Sequence, residues 1–192
     1  LDFFEGDRDW EATTETVRRA IELCADKLAP HGSIYAWVGH RQFGTVVNQL
    51  ESKGWKTRFL VWSKECPVPP APGSGWPSAA ELCVYAYRSG RTWTAESLKD
   101  VPRSNVITAD AYRFGQPGKV DHPTQKPLPT IMPLVRLSSR PGQTVLDCFM
   151  GSGTTGIECL RSGRHFIGIE KDPKHFQTAF ERLRSEVEET LL

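Results

Sequence analysis

No apolar run in the 192 residues reaches the length of a membrane-spanning helix, and no signal-peptide pattern is visible. No C-x-x-C pair occurs either. The five cysteines (Cys24, Cys66, Cys83, Cys148, Cys159) are odd in number, which argues against a disulfide scaffold or a zinc ribbon and suits a reduced, cytoplasmic protein. There is no polycationic tail. Net charge is +1 with 24% charged residues, so any contact with nucleic acid must come from a local patch. The first residue is Leu1 rather than methionine, which leaves open what precedes it. At this length one domain, or one domain with an insertion, can bury a real core.

The chain is organised around residues 144–156, TVLDCFMGSGTTG. Val145 and Leu146 end in an acid, Asp147; a loop with Gly151 and Gly153 follows, and Thr154-Thr155-Gly156 opens a helix. Strand, tight turn and helix N-terminus is the arrangement in which backbone N–H groups face a ligand. Residues 151–156 also fit the G-x-G-x-x-G dinucleotide fingerprint, which alone is weak evidence. A carboxylate at the strand end repels a pyrophosphate but holds an ammonium group. The next strand, 165–169, ends in Glu170, spaced to take a ribose hydroxyl pair. Acid, glycine loop, acid suits S-adenosylmethionine, with a nicotinamide-dependent oxidoreductase and a ligand-free βαβ turn as rival readings.

Elsewhere the pattern predicts elements in order. Asp7–Trp10 reads as a turn with a helix cap, and Val17, Ala20, Ile21, Cys24 and Leu28 recur at helical spacing over 11–29, stopped by Pro30-His31-Gly32. Residues 33–38 read as a strand, 42–52 as a helix closed by Gly54, and 56–64 and 80–88 as strands. The proline-rich stretch Cys66–Pro77 reads as an ordered, irregular loop, with Trp76 set either to meet a base or to pin the loop to the core. Residues 89–119 show little periodicity. With Arg88 at their edge they carry six basic residues against three acidic ones, interleaved with Trp93, Tyr112 and Phe114, which suits phosphate contact and base stacking or a solvated excursion. The turn 121–127, DHPTQKP, precedes an apolar segment, 128–137, that Pro133 should kink or confine to a later helix. Asp172-Pro173 caps the last helix, whose expected buried stripe is Phe176, Ala179, Phe180, Leu183 and Val187.

His122-Pro123-Thr124-Gln125-Lys126-Pro127, followed by Asp147-x-Phe149-x-Gly151-Ser152-Gly153-Thr154-Thr155, resembles the paired signature of the DNA amino-methyltransferases that act on N6 of adenine or N4 of cytosine. The order resembles the circularly permuted class, with the cofactor half after the target-recognition region. Trp62-Ser63-Lys64 and Glu81 are also similar to that family. The resemblance implies an α/β, Rossmann-like methyltransferase sheet in a single domain, 1–192, with a recognition insertion at 89–119. It implies S-adenosylmethionine as cofactor and site-specific methylation of double-stranded DNA, adenine favoured, in the manner of a restriction-modification enzyme. Homodimerisation is left open, and no membrane or metal is implied.

By position, the resemblance assigns Asp147, Phe149, Gly151, Ser152, Gly153, Thr154 and Thr155 to the methionine end of the cofactor and Glu170 to the ribose. His122, Thr124, Gln125 and Lys126 become the pocket wall, although Thr124 also reads as a plain helix cap. Arg88, Arg91, Trp93, Arg103 and Arg113 are the implied DNA contacts. Cys148 stands where the family usually has proline, a tolerated change expected to loosen the loop slightly.

The family's catalytic motif, a polar residue followed by Pro-Pro and an aromatic, is not matched. Pro69-Pro70 is the only Pro-Pro, and it lies between Val68 and Ala71. The implication is an N-terminally truncated member whose motif and framing strands lie before residue 1, between strands 145–147 and 33–38. A non-catalytic accessory protein of the same fold is the alternative.

Overall fold

The computed structural model describes residues 10–68, 75–88, 101, 104–113 and 115–190. The chain divides into two compact units. The first holds α1 (Trp10–Ala25), β1 (Ser33–Val38), α2 (His40–Ser52), β2 (Lys56–Val68), β3 (Ser78–Tyr87) and β4 (Val106–Thr108); the second holds α3 (Leu128–Ser138), β5 (Thr144–Asp147), α4 (Thr154–Arg161), β6 (His165–Gly168) and α5 (Pro173–Thr190).

In the first unit the strands lie in the order β1-β3-β2-β4. β3 runs antiparallel to both neighbours, pairing Ile34 with Ala86 and Thr57 with Ala86, while β4 runs parallel to β2. Side chains alternate across the sheet. One face, with Ala36, Val38, Val84 and Ala86, meets Val17, Ile21 and Ala25 of α1 and Val46 and Leu50 of α2. Val46, Leu50, Val84 and Ala86 are completely buried.

Helix α1 ends at Ala25 rather than at 29. Pro30 has no N–H to extend the ladder and disfavours helical backbone at Ala29. Lys27 N–H closes instead on the Cys24 carbonyl at 3.0 Å, and Leu28 folds back onto the core. Strand β2 runs on to Val68, so Cys66–Val68, expected in the irregular loop, extend the strand beyond a register shift. Trp76 is 88% exposed, which removes the core-pinning reading. Within the weakly periodic stretch 89–119, β4 pairs Ile107 with Trp62 and buries it; three residues are too few to show a period. The expected cap at Asp7–Asp9 lies outside the described residues.

In the second unit β5 and β6 pair in parallel, Val145 with Phe166 and Leu146 with Ile167, joined through α4. Helix α3 starts at Leu128 and continues through Pro133, so the expected confinement to a later segment does not occur. Its N-cap is Pro127 and no side chain caps it, which removes the reading of Thr124 as cap. Gly156 permits the close packing: a Cβ there would stand 2.6 Å from Leu183 and 2.7 Å from the Phe166 ring.

Asp172 caps α5 as expected, accepting the N–H groups of Lys174 and His175 at 2.9 and 3.0 Å, and these bonds hold its carboxyl below the usual range. The expected stripe of that helix is only half right. Ala179 is fully buried and Leu183 partly so, because they face α4; Phe176, Phe180 and Val187 are 44%, 50% and 40% exposed. No disulfide joins the five cysteines, and no helix among the described residues is long and apolar enough to cross a membrane.

Candidate cofactor site

The end of β5 and the start of α4 form a loop held by its own polar groups and by groups from neighbouring segments. Asp147 lies half-buried at the strand end. Its Oδ1 accepts the Phe149 N–H at 3.1 Å and its Oδ2 accepts the Thr155 hydroxyl at 2.6 Å, so one carboxylate spans both ends of the loop. Gly151 and Gly153 have φ of 50° and 77°, backbone that favours glycine. The Gly153 N–H bonds the Met150 carbonyl at 2.8 Å, and the Met150 N–H bonds the Ile169 carbonyl at 2.9 Å. The N–H groups of Thr154 and Thr155 open α4 without an acceptor among the described residues, as the first turn of any helix does. They give that end a partial positive charge.

Glu170 sits just past β6. Its Oε2 accepts the Gly151 N–H at 3.0 Å and its Oε1 the Asp172 N–H at 2.9 Å, so it ties the glycine loop to the entry of α5. A carboxylate offers about four lone-pair sites, and two backbone bonds leave acceptor capacity on each oxygen.

The turn at 122–127 closes on this loop. A Cβ on Gly151 would lie 2.9 Å from His122 Nε2, so the imidazole rests directly on the glycine. His122 Nδ1 accepts the Thr124 N–H at 3.2 Å, which places the proton of the neutral ring on Nε2. His122 also meets His175, with ring centroids 4.4 Å apart and the rings tilted by 53°. Lys119 donates from its ammonium to the His122 carbonyl, and burial lowers its pKa. Gln125 is buried and shapes the turn, accepting the Val120 N–H at 2.9 Å and donating to the Gly118 carbonyl at 2.8 Å. The Thr154 hydroxyl donates to the Lys126 carbonyl at 3.0 Å. Two signature segments that are separate in sequence thus meet in space.

The sequence-based site residues of the second unit therefore lie together: Lys126, Asp147, Gly151, Ser152, Gly153, Thr154, Thr155 and Glu170 cluster through hydrogen bonds of the loop, His122 packs on Gly151, and Thr124, Gln125 and Phe149 shape the backbone. Two contributors escape the sequence reading. His175 and Arg182 reach the cluster from α5, and Arg182 Nη1 lies 2.9 Å from the Ser152 carbonyl and 3.1 Å from Thr154 Oγ1. Nothing in their local sequence marks them, because contact across a helix face depends on packing.

Of the expected DNA contacts, Arg88 is exposed with its guanidinium 4.5 Å from the Trp55 ring centre, a cation–π contact. Arg113 is exposed, and its backbone N–H donates to Gln116 Oε1 at 2.7 Å. Arg91, Trp93 and Arg103 lie outside the described residues. In the first unit Lys64 Nζ pairs with Glu81 Oε1 at 2.7 Å and stands 4.9 Å from the Trp62 ring centre, so these three residues form one group in which Lys64 and Trp62 are buried and Glu81 partly so.

The pattern of the DNA methylase family matches residues 2–181. The type II methyltransferase M2.DpnII of Streptococcus pneumoniae is 27% identical over 188 residues, covering 93% of this chain and 70% of its own length. The type II methyltransferase M.HinfI of Haemophilus influenzae is 28% identical over 180 residues, covering 85% of this chain but 49% of its own length. Among solved structures, the M1.HpyAVI–SAM complex superposes with a TM-score of 0.73 at 27% identity, over 88% of this chain and 82% of that one. The fold is that of a Rossmann-like methyltransferase.

Proposed function

Because this chain belongs to the DNA methylase family of N6 and N4 amino-methyltransferases, we propose that it binds S-adenosylmethionine and double-stranded DNA in the methylation of an exocyclic base amine, adenine first. The observation that carries this reading is the closure of the His122–Pro127 turn on the glycine loop, with Asp147 and Glu170 at its two edges.

The donor set fits that cofactor. Asp147 would pair with the ammonium of the methionine end, and the opening N–H groups of α4 suit its carboxylate. Glu170 retains acceptor capacity for the ribose hydroxyls. His122 and Lys126 wall the site through contacts to Gly151 and Thr154. When bound, the sulfonium supplies an electrophilic methyl group.

The base amine is the harder partner, because its lone pair is delocalised into the ring. The family activates it with the polar-Pro-Pro-aromatic motif, and no such motif occurs in these 192 residues. The same observation favours a second reading, a non-catalytic accessory protein of this fold.

Calorimetric titration is expected to give micromolar binding of S-adenosylmethionine and S-adenosylhomocysteine and hardly any of NAD. In the same preparation no labelled methyl should reach duplex DNA. Preference for NAD would overturn the cofactor assignment, and robust methylation by these 192 residues would overturn the reliance on that motif.

DNA binding is assigned to the basic, aromatic stretch 89–119. Replacing Arg91 and Arg103 by alanine is expected to weaken duplex binding and to flatten its salt dependence by up to about one unit of slope for each phosphate no longer neutralised. An unchanged slope would move recognition to the proline-rich segment around Trp76.

A further inference from the structure

We infer that Arg182, on the helix after the site, is a positioning residue for the cofactor loop. This inference rests on the reading of that loop as an S-adenosylmethionine site. The side chains of α5 at 175, 179, 182 and 183 share one face of the helix. Each meets a different part of the site. His175 lies against His122, Ala179 stands where a Cβ on Gly153 would be 3.2 Å away, and Leu183 packs on Gly156. Arg182 is the polar member of the set. Its Nη1 donates to the Ser152 carbonyl at 2.9 Å. The N–H of the same Ser152–Gly153 peptide bonds the Met150 carbonyl at 2.8 Å, so that peptide plane is held from both sides, just before the positive φ of Gly153.

The same Nη1 stands 3.1 Å from Thr154 Oγ1, whose proton goes to the Lys126 carbonyl. Arg182, Thr154 and Lys126 therefore connect the helix, the glycine loop and the 122–127 turn in one line. Ser152 and Thr154 are each only 4% exposed, so water does not replace these bonds cheaply. The nearby acid, Glu186, pairs with Arg161 at two points, 2.6 and 2.8 Å, and with Tyr112 it also favours the Arg182 charge, while the hydrogen bonds of Arg182 Nη1 go to the loop. That charge stands beside the first turn of α4 and adds to the field that favours a carboxylate there.

The test compares Arg182→Met, Arg182→Lys and Arg161→Met in the full chain. Arg161→Met removes a two-point α4–α5 tie that makes no hydrogen bond to the loop. S-adenosylhomocysteine affinity is expected to fall about tenfold or more in Arg182→Met, since one charge-assisted hydrogen bond and the ordering of the loop disappear. It should recover at least partly in Arg182→Lys and change less than about twofold in Arg161→Met. Exchange of the Gly153 amide hydrogen, followed by NMR without ligand, is expected to accelerate in Arg182→Met and Arg182→Lys but not in Arg161→Met.

Equal loss of affinity in Arg182→Met and Arg161→Met would reduce Arg182 to a helix-packing residue and overturn the inference, as would unchanged Gly153 exchange. If Arg182→Met does not fold, the lysine variant decides through the same exchange measurement. Absence of S-adenosylhomocysteine binding by the unaltered chain would instead defeat the cofactor reading, and the exchange comparison would still judge the role of Arg182 in the loop.

Discussion

Replacing Arg136 by leucine is expected to destabilise the protein by about 3 kcal/mol, the low end of the range for stranding one member of a buried ion pair. Glu158 is only 1% exposed, and its Oε1 receives Arg136 Nε at 2.6 Å. Arg136 is a third exposed, which tempers the loss. Two other cations among the described residues feel that Glu158 charge, but both are engaged elsewhere: Arg161 makes a two-point pair with Glu186 at 2.6 and 2.8 Å. Arg164 feels the Glu158 charge, but its guanidinium is committed to the Ser139 and Ser162 carbonyls at 2.8 and 2.5 Å. The neighbouring Cys159 thiol, pushed up to about 12 mainly by burial, contributes no charge at neutral pH. Urea denaturation of Arg136→Leu should register the loss, and the double variant Arg136→Leu, Glu158→Leu should regain most of it, because an apolar pair of similar volume can replace a buried ion pair. A single-variant cost below about 1 kcal/mol would mean that Glu158 finds water or another partner. The pair joins α3, which follows the 122–127 turn, to α4, which begins at the glycine loop, so breaking it should also loosen the site.

Elements with a strong period or a sharp punctuation are legible in the sequence. The strand at 33–38 has the expected bounds, and Asp172 caps α5 through the bonds its position implies. The departures follow from forces that a local pattern does not carry. Leu28 keeps the apolar spacing of α1 yet lies beyond its end, because the period records which side chains reach the core and not whether the backbone remains helical. Pro133 sits in the continuous helix α3 and is itself buried, as are Ile131, Leu134 and Val135. Its missing N–H costs one bond, and burial of the surrounding apolar surface offsets that cost. Phe176 and Phe180 follow helical spacing as Ala179 does, but the close approach at Gly153 selects the small residue at 179, and the two rings lie exposed.

The candidate site is readable where its chemistry is local. An acid at a strand end, two glycines of positive φ and a helix start lie within one short run, so Asp147, Gly151, Gly153 and Thr155 can be found together. In the sequence the partnership of His122 with this loop rests on resemblance, and the 2.9 Å approach of its ring to a Cβ position on Gly151 gives that partnership a steric basis. Gly151 is then required twice, by its φ and by the imidazole. The motif assigns Glu170 to a ribose; the side chain also fastens the glycine loop to the cap of α5, a structural task invisible to motif reading. His175 and Arg182 carry no local signal, since their importance comes from sharing a helix face with Ala179.

Asp147→Ala is expected to weaken S-adenosylmethionine binding by about 2–3 kcal/mol, roughly a 30- to 150-fold rise in Kd. Two contributions combine. The carboxylate would pair with the ligand's ammonium, a charge-assisted contact stronger than a neutral hydrogen bond. It also holds Phe149 N–H and the Thr155 hydroxyl, so removing it frees the loop that presents the α4 N-terminus. Further variants separate the two. Thr155→Val removes only the 2.6 Å bond from the hydroxyl and should cost about 1 kcal/mol in affinity. Asp147→Asn keeps an oxygen for the Phe149 N–H but carries no charge, and should lose most of what alanine loses if the ammonium pairing dominates. Calorimetry on the three variants, with urea midpoints to confirm folding, decides. An asparagine variant that binds like the unaltered chain would assign Asp147 to bracing alone, and an alanine variant with unchanged affinity would remove it from the cofactor site.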